Sequence, residues 1–337
     1  MINHRLISSD TIDDLLNSVY RIIQEKGSEV PASRGKKQII KEIIDAKLIL
    51  TNPRARLSIS ESRSTPFSAF GEFLWYLSGS GGLDFIEYYI PEYRKHVTSK
   101  DKLTADDSYG PRFKGITEHQ NQFKNVIELL KRRRDSKKAV IQIYDKIDLV
   151  DHLKDNVSTP CTLSFQFLVR EEKLIMITNM RSNDIVYGLP HDIFAFTMIQ
   201  ELVARELGYK LGDYVHNVGS LHYYAEDKFE KNLSDYLDEG YQAPEDCIMP
   251  RMTKDPIAKF NELLLVEEGL RKGFDIDIKE LKLDDYWQDI AILLKCHYLI
   301  KNKMIDRFLD EKEKFVNKIY MDYTDKRSRS ITNANRE

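Results

Sequence analysis

Cysteine is scarce: Cys161, Cys247 and Cys296 are the three thiols among 337 residues. They are odd in number, widely separated and never in a CxxC spacing, which excludes a disulfide framework and a zinc ribbon. A reducing, cytoplasmic setting follows as the simpler expectation. Charge of one sign is also missing. Lys and Arg number 51 against 54 Asp and Glu, for a formal charge of -3, so no global basic field draws nucleic acid. The expected partner is a small molecule, with no nucleic acid. The only dense cationic stretch, Lys131 to Arg134 with Lys137 and Lys138, reads as a solvated helix end. No run approaches the ~20 apolar residues of a membrane helix, and Met1 to Arg5 lacks an apolar signal core. No repeat, low-complexity linker or clear boundary divides the chain.

Hydrophobic residues make up 42% of the sequence, enough for a sizeable core. Asp10, followed by Ile12, Leu15, Leu16, Val19 and Ile23, predicts an opening amphipathic helix capped by Asp10. Residues 56–60 read as a short strand. Thr65 and Pro66 form a cap and first-turn pair for an apolar helix through Phe70, Phe73 and Leu77, in which Glu72 is the odd residue. Residues 95–116 read as a polar loop, and a helix near 119–134 follows. Strands are expected at 139–144, 162–169 and 173–180, the last two joined by a turn at Glu171-Glu172. Leu163, Phe165, Phe167 and Val169 should share one face, with Thr162, Ser164 and Gln166 on the other. Residues 193–204 are apolar almost all round, so they read as a buried helix. Helical patterns near 254–271, 285–302 and 303–323 close the chain before a polar tail, 324–337. The expectation is one α+β domain, 1–337, with a core of about 10–230 and a helical C-terminal part of about 231–323.

Four motifs carry chemistry: Thr159-Pro160-Cys161-Thr162 opening a strand, Arg181-Ser182-Asn183-Asp184, Gly188-Leu189-Pro190-His191-Asp192, and Gly219-Ser220-Leu221-His222-Tyr223-Tyr224. Together they resemble the thymidylate synthase family, over roughly residues 10–230. The resemblance implies that family's fold, a mixed sheet packed with helices, here with a helical C-terminal extension. It also implies a homodimer with shared active sites, 5,10-methylenetetrahydrofolate as one-carbon donor, and no metal.

By that resemblance Cys161 is the nucleophile that adds to C6 of a pyrimidine nucleotide and activates C5, and a buried structural thiol is the alternative. Arg181 and Ser182 match the phosphate-binding pair, with Arg181 also favouring thiolate by its charge. Arg54 resembles a further phosphate clamp. Gln166 lies on the nucleotide side. Lys137 and Lys138 stand after Asp135-Ser136, where the family places two arginines donated by the partner subunit. Lysine keeps the charge but loses the planar bidentate fork. His222 and Tyr224 match the pair that holds the sugar hydroxyl, and Ser220 replaces a usual aspartate. Glu72 matches a glutamate that orders water and relays protons, and its apolar surroundings predict a raised pKa. Tyr109 matches a tyrosine that helps remove the C5 proton. Asp184, Trp75 and Gly188 fall at folate-binding positions.

Asp192 stands where the family reads uracil with an asparagine. Cytosine presents an N3 acceptor and an amino donor, which a carboxyl group matches if it shares a proton with N3. A helix N-cap is the rival explanation, since Ile193 begins the apolar run. The departure at Ile90-Pro91-Glu92, where the family places a shielding aromatic residue, would admit water to the exocyclic methylene. These features point to hydroxymethylation of CMP or dCMP. Methylation of dUMP or dCMP is the second enzymatic reading, and a non-catalytic nucleotide- or RNA-binding member of the fold is the third.

Overall fold

The computed structural model describes residues 6–32, 38–61, 66–97, 102–155, 157–241 and 247–334; Thr65, the expected cap, lies outside them. The chain begins with strand β1 (Leu6–Ser9), then helix α1 (Ile12–Lys26). The cap of α1 is Thr11 rather than Asp10, because the Thr11 hydroxyl accepts from Asp14 N at 3.1 Å. Leu15, Leu16, Val19 and Ile23 put the helix's apolar stripe in the core. Strands β2 (Ser28–Pro31) and β3 (Ile39–Leu50) follow. The sequence reading missed β3, whose charged residues obscure its alternation. The strand expected at 56–60 is absent: the segment is irregular, and its Arg56 is buried against Glu201.

Helix α2 (Pro66–Ser78) is followed by α3 (Leu83–Tyr89), the short α4 (Gly110–Lys114) and α5 (Gln122–Arg132). The stretch 95–116 is therefore a loop only in part. After β4 (Val140–Gln142) and α6 (Lys146–Asp155) come the long hairpin β5 (Thr162–Arg170) and β6 (Lys173–Asp184). Glu171 and Glu172 both have positive φ, 49° and 57°, as a tight two-residue hairpin demands. Helix α7 (Gly188–Glu206) and strand β7 (Lys210–Tyr224) complete the sheet layer.

The sheet is mixed, in the order β1-β3-β7-β6-β5-β4, with β2 beside the first half of β3. β1 runs parallel to β3 and β6 parallel to β7, while the other pairings are antiparallel. Helix α7 is buried from Asp192 to Ala204, as its apolar run requires. Its two polar exceptions are paired. Gln200 donates to the carbonyls of Leu174 and Gly212 at 3.0 and 3.1 Å, and Glu201 pairs with Arg56.

The remainder is helical: α8 (Asp227–Asp238), α9 (Pro256–Arg271), α10 (Asp285–Lys301), α11 (Ile305–Lys312) and α12 (Ile319–Ala334). The third pattern in the sequence, 303–323, thus splits into two helices. Nor is 324–334 a frayed tail. Tyr323 and Thr324 are buried, and Lys326 donates to the carbonyls of Ile59 and Ser60 at 2.7 and 3.1 Å. Periodicity missed this because its polar residues bind backbone rather than bury apolar surface.

Candidate active site

Cys161 lies immediately before β5, is in no disulfide and is of intermediate burial. Strand β5 carries a bulge at its start, where Thr162 pairs with Met180 but Ser164 with Asn179. One extra residue in a ladder flips the local alternation. Thr162 therefore turns fully inward and Leu163 is left 36% exposed, which corrects the expected face with Phe165, Phe167 and Val169.

The inward turn gives Thr162 its partner. The Tyr109 hydroxyl donates to Thr162 Oγ1 at 3.0 Å and accepts from Thr162 N at 3.3 Å. Burial, Asp192 and Cys161 push the Tyr109 phenol pKa well up, so its proton stays on. Tyr76 stacks on Tyr109 with ring centroids 4.6 Å apart, and its hydroxyl donates to Glu72 Oε1 at 2.8 Å. Glu72 and Tyr76 are one turn apart on α2, a spacing that puts both on one helix face. The sequence reading had the helix and Glu72 but missed Tyr76.

Asp192 sits in the second turn of α7, which begins at Gly188 with Tyr187 at the cap position. The N-cap explanation of Asp192 is therefore overturned. It is only 7% exposed, and burial, then the negative charge of Glu72, raise its pKa well above the usual carboxylate range, opposed by a hydrogen bond from Asn183. Asn183 Nδ2 donates to Asp192 Oδ2 at 2.5 Å. Glu72, expected from its apolar helix to be buried, is half-buried. Asn183 was quoted within a motif but given no role; its value comes from a contact nine residues away.

Arg181 N donates to the Cys161 carbonyl at 2.9 Å. Its side-chain Nε donates to Pro160 O at 2.9 Å, and Nη2 to Thr159 O and Oγ1 at 3.0 and 3.1 Å. The guanidinium thus clasps the thiol's own loop. Ser182 pairs with Ser220 and Asp184 with His222 across β6 and β7, and Ser182 Oγ lies 3.5 Å from His222 Nδ1. The His222 and Tyr224 rings meet edge-on at 5.8 Å. Asp184 Oδ1 accepts from Val186 N and Tyr187 N at 2.9 and 2.7 Å, turning the chain into α7.

At Gly188 an added Cβ would lie 3.6 Å from Asn183 Nδ2 and 3.7 Å from Asp192 Oδ2. Gly188 thus packs directly beside that pair and beside Asp184, whose Cβ would lie 3.9 Å away. Trp75 is fully buried, with Tyr93 edge-on at 5.3 Å, so a ligand reaches it only if Tyr93 moves. Tyr93, unnoticed in the sequence, is near enough to Asp107, Glu72, Tyr109 and Cys161 for their charges to add to burial in raising its pKa.

Four predicted residues stand apart from the Cys161 cleft. Arg54 Nη1 donates to Met249 O at 3.2 Å. Gln166 Nε2 donates to Lys137 O at 2.9 Å. Lys137 and Lys138 are exposed. A surface hollow bounded by Arg134, Lys137, Arg170 and Glu172 lies at the opposite end of β5 from Cys161, and contains none of the perturbed groups. Among the described residues no cluster of His, Cys, Asp and Glu is arranged to hold a metal, and no helix is long and apolar enough to cross a membrane.

Comparison with known proteins fits this geometry. Over 206 residues the chain is 32% identical to a deoxyuridylate hydroxymethyltransferase of Delftia phage PhiW-14, covering 57% of this chain and 55% of that protein. Over 236 residues it is 30% identical to a deoxyuridylate hydroxymethyltransferase of Bacillus phage SP01, covering 66% and 58%. The chain thus spans little more than half the length of these curated relatives. The solved thermostable thymidylate synthase A of Bacillus subtilis shares the fold, with a TM-score of 0.55 and 21% identity over 67% of this chain and 83% of that one. The thymidylate synthase family profile matches residues 16–297, well past the limit of 230 expected from the motifs, and with so much of its length matched, the chain belongs to the thymidylate synthase family.

Proposed function

We propose that the protein transfers a hydroxymethyl group to C5 of a cytosine nucleotide, CMP or dCMP. The observation that carries this reading is Asp192, a carboxyl only 7% exposed that burial and the charge of Glu72 push toward its protonated form. A protonated carboxyl donates to cytosine N3 and accepts from the 4-amino group. As Cys161 adds to C6, the Asp192 proton moves toward N3 and compensates the negative charge that develops on the ring. The thiolate forms one C–S bond, C5 becomes nucleophilic, and the same bond breaks when product leaves.

Gly188 and the Asp184 turn would hold a bound methylenetetrahydrofolate, which would supply the one-carbon unit. Around it the chain's own residues act on protons and water. The Tyr109 hydroxyl, held by Thr162, lies beside the thiol to assist departure of the C5 proton. Glu72 orients water for the exocyclic carbon, with Tyr76 fixing its Oε1. Arg181, having committed Nε and Nη2 to its own loop, keeps Nη1 for a phosphate oxygen, with Ser182 alongside. His222 and Tyr224 take the sugar hydroxyl. Lys137 and Lys138, exposed and remote from Cys161, serve the site of a second copy in a homodimer; Ile44, Val140 and Leu163, 52%, 43% and 36% exposed, offer it an apolar sheet face.

Two observations favour a second reading, hydroxymethylation of dUMP. The phage relatives are named for deoxyuridylate, and a protonated carboxyl can also accept from uracil N3–H while donating to O4. One experiment separates the two. The protein is incubated with each of CMP, dCMP, UMP and dUMP plus methylenetetrahydrofolate, and products are weighed. A cytosine nucleotide gaining the mass of formaldehyde supports the first reading. A gain on dUMP alone supports the second, and a gain of one methylene on any of them identifies methyl transfer.

A further inference from the structure

Glu72 and Asp192 come from different helices, so their mutual placement depends on what fixes α2 against α7. Deep in the interface Phe70 meets Phe194 edge-on at 4.8 Å, apolar packing that resists separation but tolerates sliding. Near the cleft there is a polar tie. Ser68 Oγ lies 2.8 Å from His191 Nε2, and His191 Nδ1 lies 2.8 Å from Tyr187 O. The carbonyl only accepts, so Nδ1 carries a proton, and Nε2 shares a hydrogen bond with the Ser68 hydroxyl. Ser68 is one helical turn before Glu72, and His191 is the residue immediately before Asp192.

We propose that His191 and Ser68 are positioning residues that set the distance between the Glu72 and Asp192 carboxyls. The bond joins α2 to α7 within one turn of each reacting group. Hydrogen bonds, unlike ring packing, are directional, so this tie fixes the slide that Phe70 and Phe194 leave free. Misplacement of reacting groups by about 1 Å can cost as much as 10²-fold in rate. A loosened tie should therefore lower turnover more than substrate binding.

The inference rests on the reading of Glu72 and Asp192 as the reacting pair, and its test separates the two. Release of tritium from C5-labelled nucleotide is measured for Ser68→Ala, His191→Ala, the double variant and Ser68→Thr, with KM and thermal midpoint for each. The expected result is a kcat about tenfold lower in each single variant, KM changed less than twofold, a double variant no worse than the singles, and activity restored in Ser68→Thr. Wild-type kcat in Ser68→Ala, or additive losses in the double variant, overturns the tie. Full activity in Glu72→Gln and Asp192→Asn instead overturns the reading beneath it.

Discussion

Asp192 and Asp289 are both buried aspartates on long helices, one in the sheet-bearing part of the chain and one among the C-terminal helices. Burial raises the pKa of both. Asp289, however, accepts from Val316 N at 2.8 Å, Asn317 N at 3.0 Å and Asn317 Nδ2 at 2.6 Å, three donors that oppose the rise. Asp192 accepts from Asn183 and faces a second carboxyl, Glu72, which adds to it. Other charged groups of the C-terminal helices are paired likewise: Glu267 holds Arg271 and the Tyr89 hydroxyl, and Lys295 holds Asp275. Neutral groups are less completely paired in both regions: Asn183 Oδ1 in the cleft, and Trp287 Nε1, Tyr320 OH and Tyr323 OH among the C-terminal helices, are buried without a hydrogen-bond partner. A buried polar group that is fully paired stabilises a fold; one left with spare capacity costs stability and is available for a ligand.

The largest expected effect lies wholly on the cleft side. Cys161→Ala should abolish tritium release from C5-labelled nucleotide while nucleotide affinity in calorimetry stays near that of the wild type. Binding does not use the thiol, so retained turnover would break the proposed mechanism. Next comes the contrast itself. Asp192→Asn should shift preference from cytosine to uracil nucleotides by roughly tenfold or more, since an unpaired buried polar group costs about 1–3 kcal/mol. Competition between CMP and UMP, or dCMP and dUMP, reads this directly. An unchanged ratio would return Asp192 to a structural role.

Asp289→Ala should do the reverse, lowering the thermal midpoint through a loss of about 1–3 kcal/mol while kcat per folded molecule stays constant. Asp192 also carries a stability signature of opposite origin. Its folded pKa lies above the ordinary 3.8, so between those values the folded chain holds a proton that the unfolded chain has lost. Stability must then fall as pH rises through that window. Urea titrations across pH should show Asp192→Asn flattening this slope.

The smallest effect at neutral pH concerns two histidines, the buried His216 and the half-buried His297, one in each region. Burial lowers His216 in β7 from 6.5 to about 3. It lowers His297 in α10 to about 4, partly offset by the bond to Tyr88 O. In both cases the unfolded chain takes the proton first, so stability is lost as pH falls below about 6.5. His216→Gln should soften this acid loss down to about pH 3 and His297→Gln only to about pH 4, as melting curves in matched buffers would show.

How far the sequence was legible depended on distance along the chain. Period-3.6 and period-2 patterns revealed α1, α2, α7, α9, α10 and the β5–β6 hairpin, because one buried face is enough to impose them. The motifs around Cys161, Arg181, Asp192 and His222 revealed the family, because residue type and short spacing carry it. β3 and the part of α12 beyond 323 were not legible. Lys41, Glu42 and Lys47 interrupt the alternation of the first, and the second runs on past its buried Tyr320 and Tyr323 into a polar stretch tied down by Lys326.

The sequence alone determined which groups could react: one thiol before a strand, a carboxyl where an amide is usual, a glutamate in an apolar helix. Only the tertiary structure decided their states. The bulge after Thr162 turned that hydroxyl toward Tyr109, and the start of α7 at Gly188 placed Asp192 inside the helix instead of at its cap. The packing of α2 on α7 brought Glu72 close enough to add to the rise in Asp192's pKa. Proton affinity depends on burial and on charges within a few ångströms, and those distances are set by contacts between residues far apart in the chain.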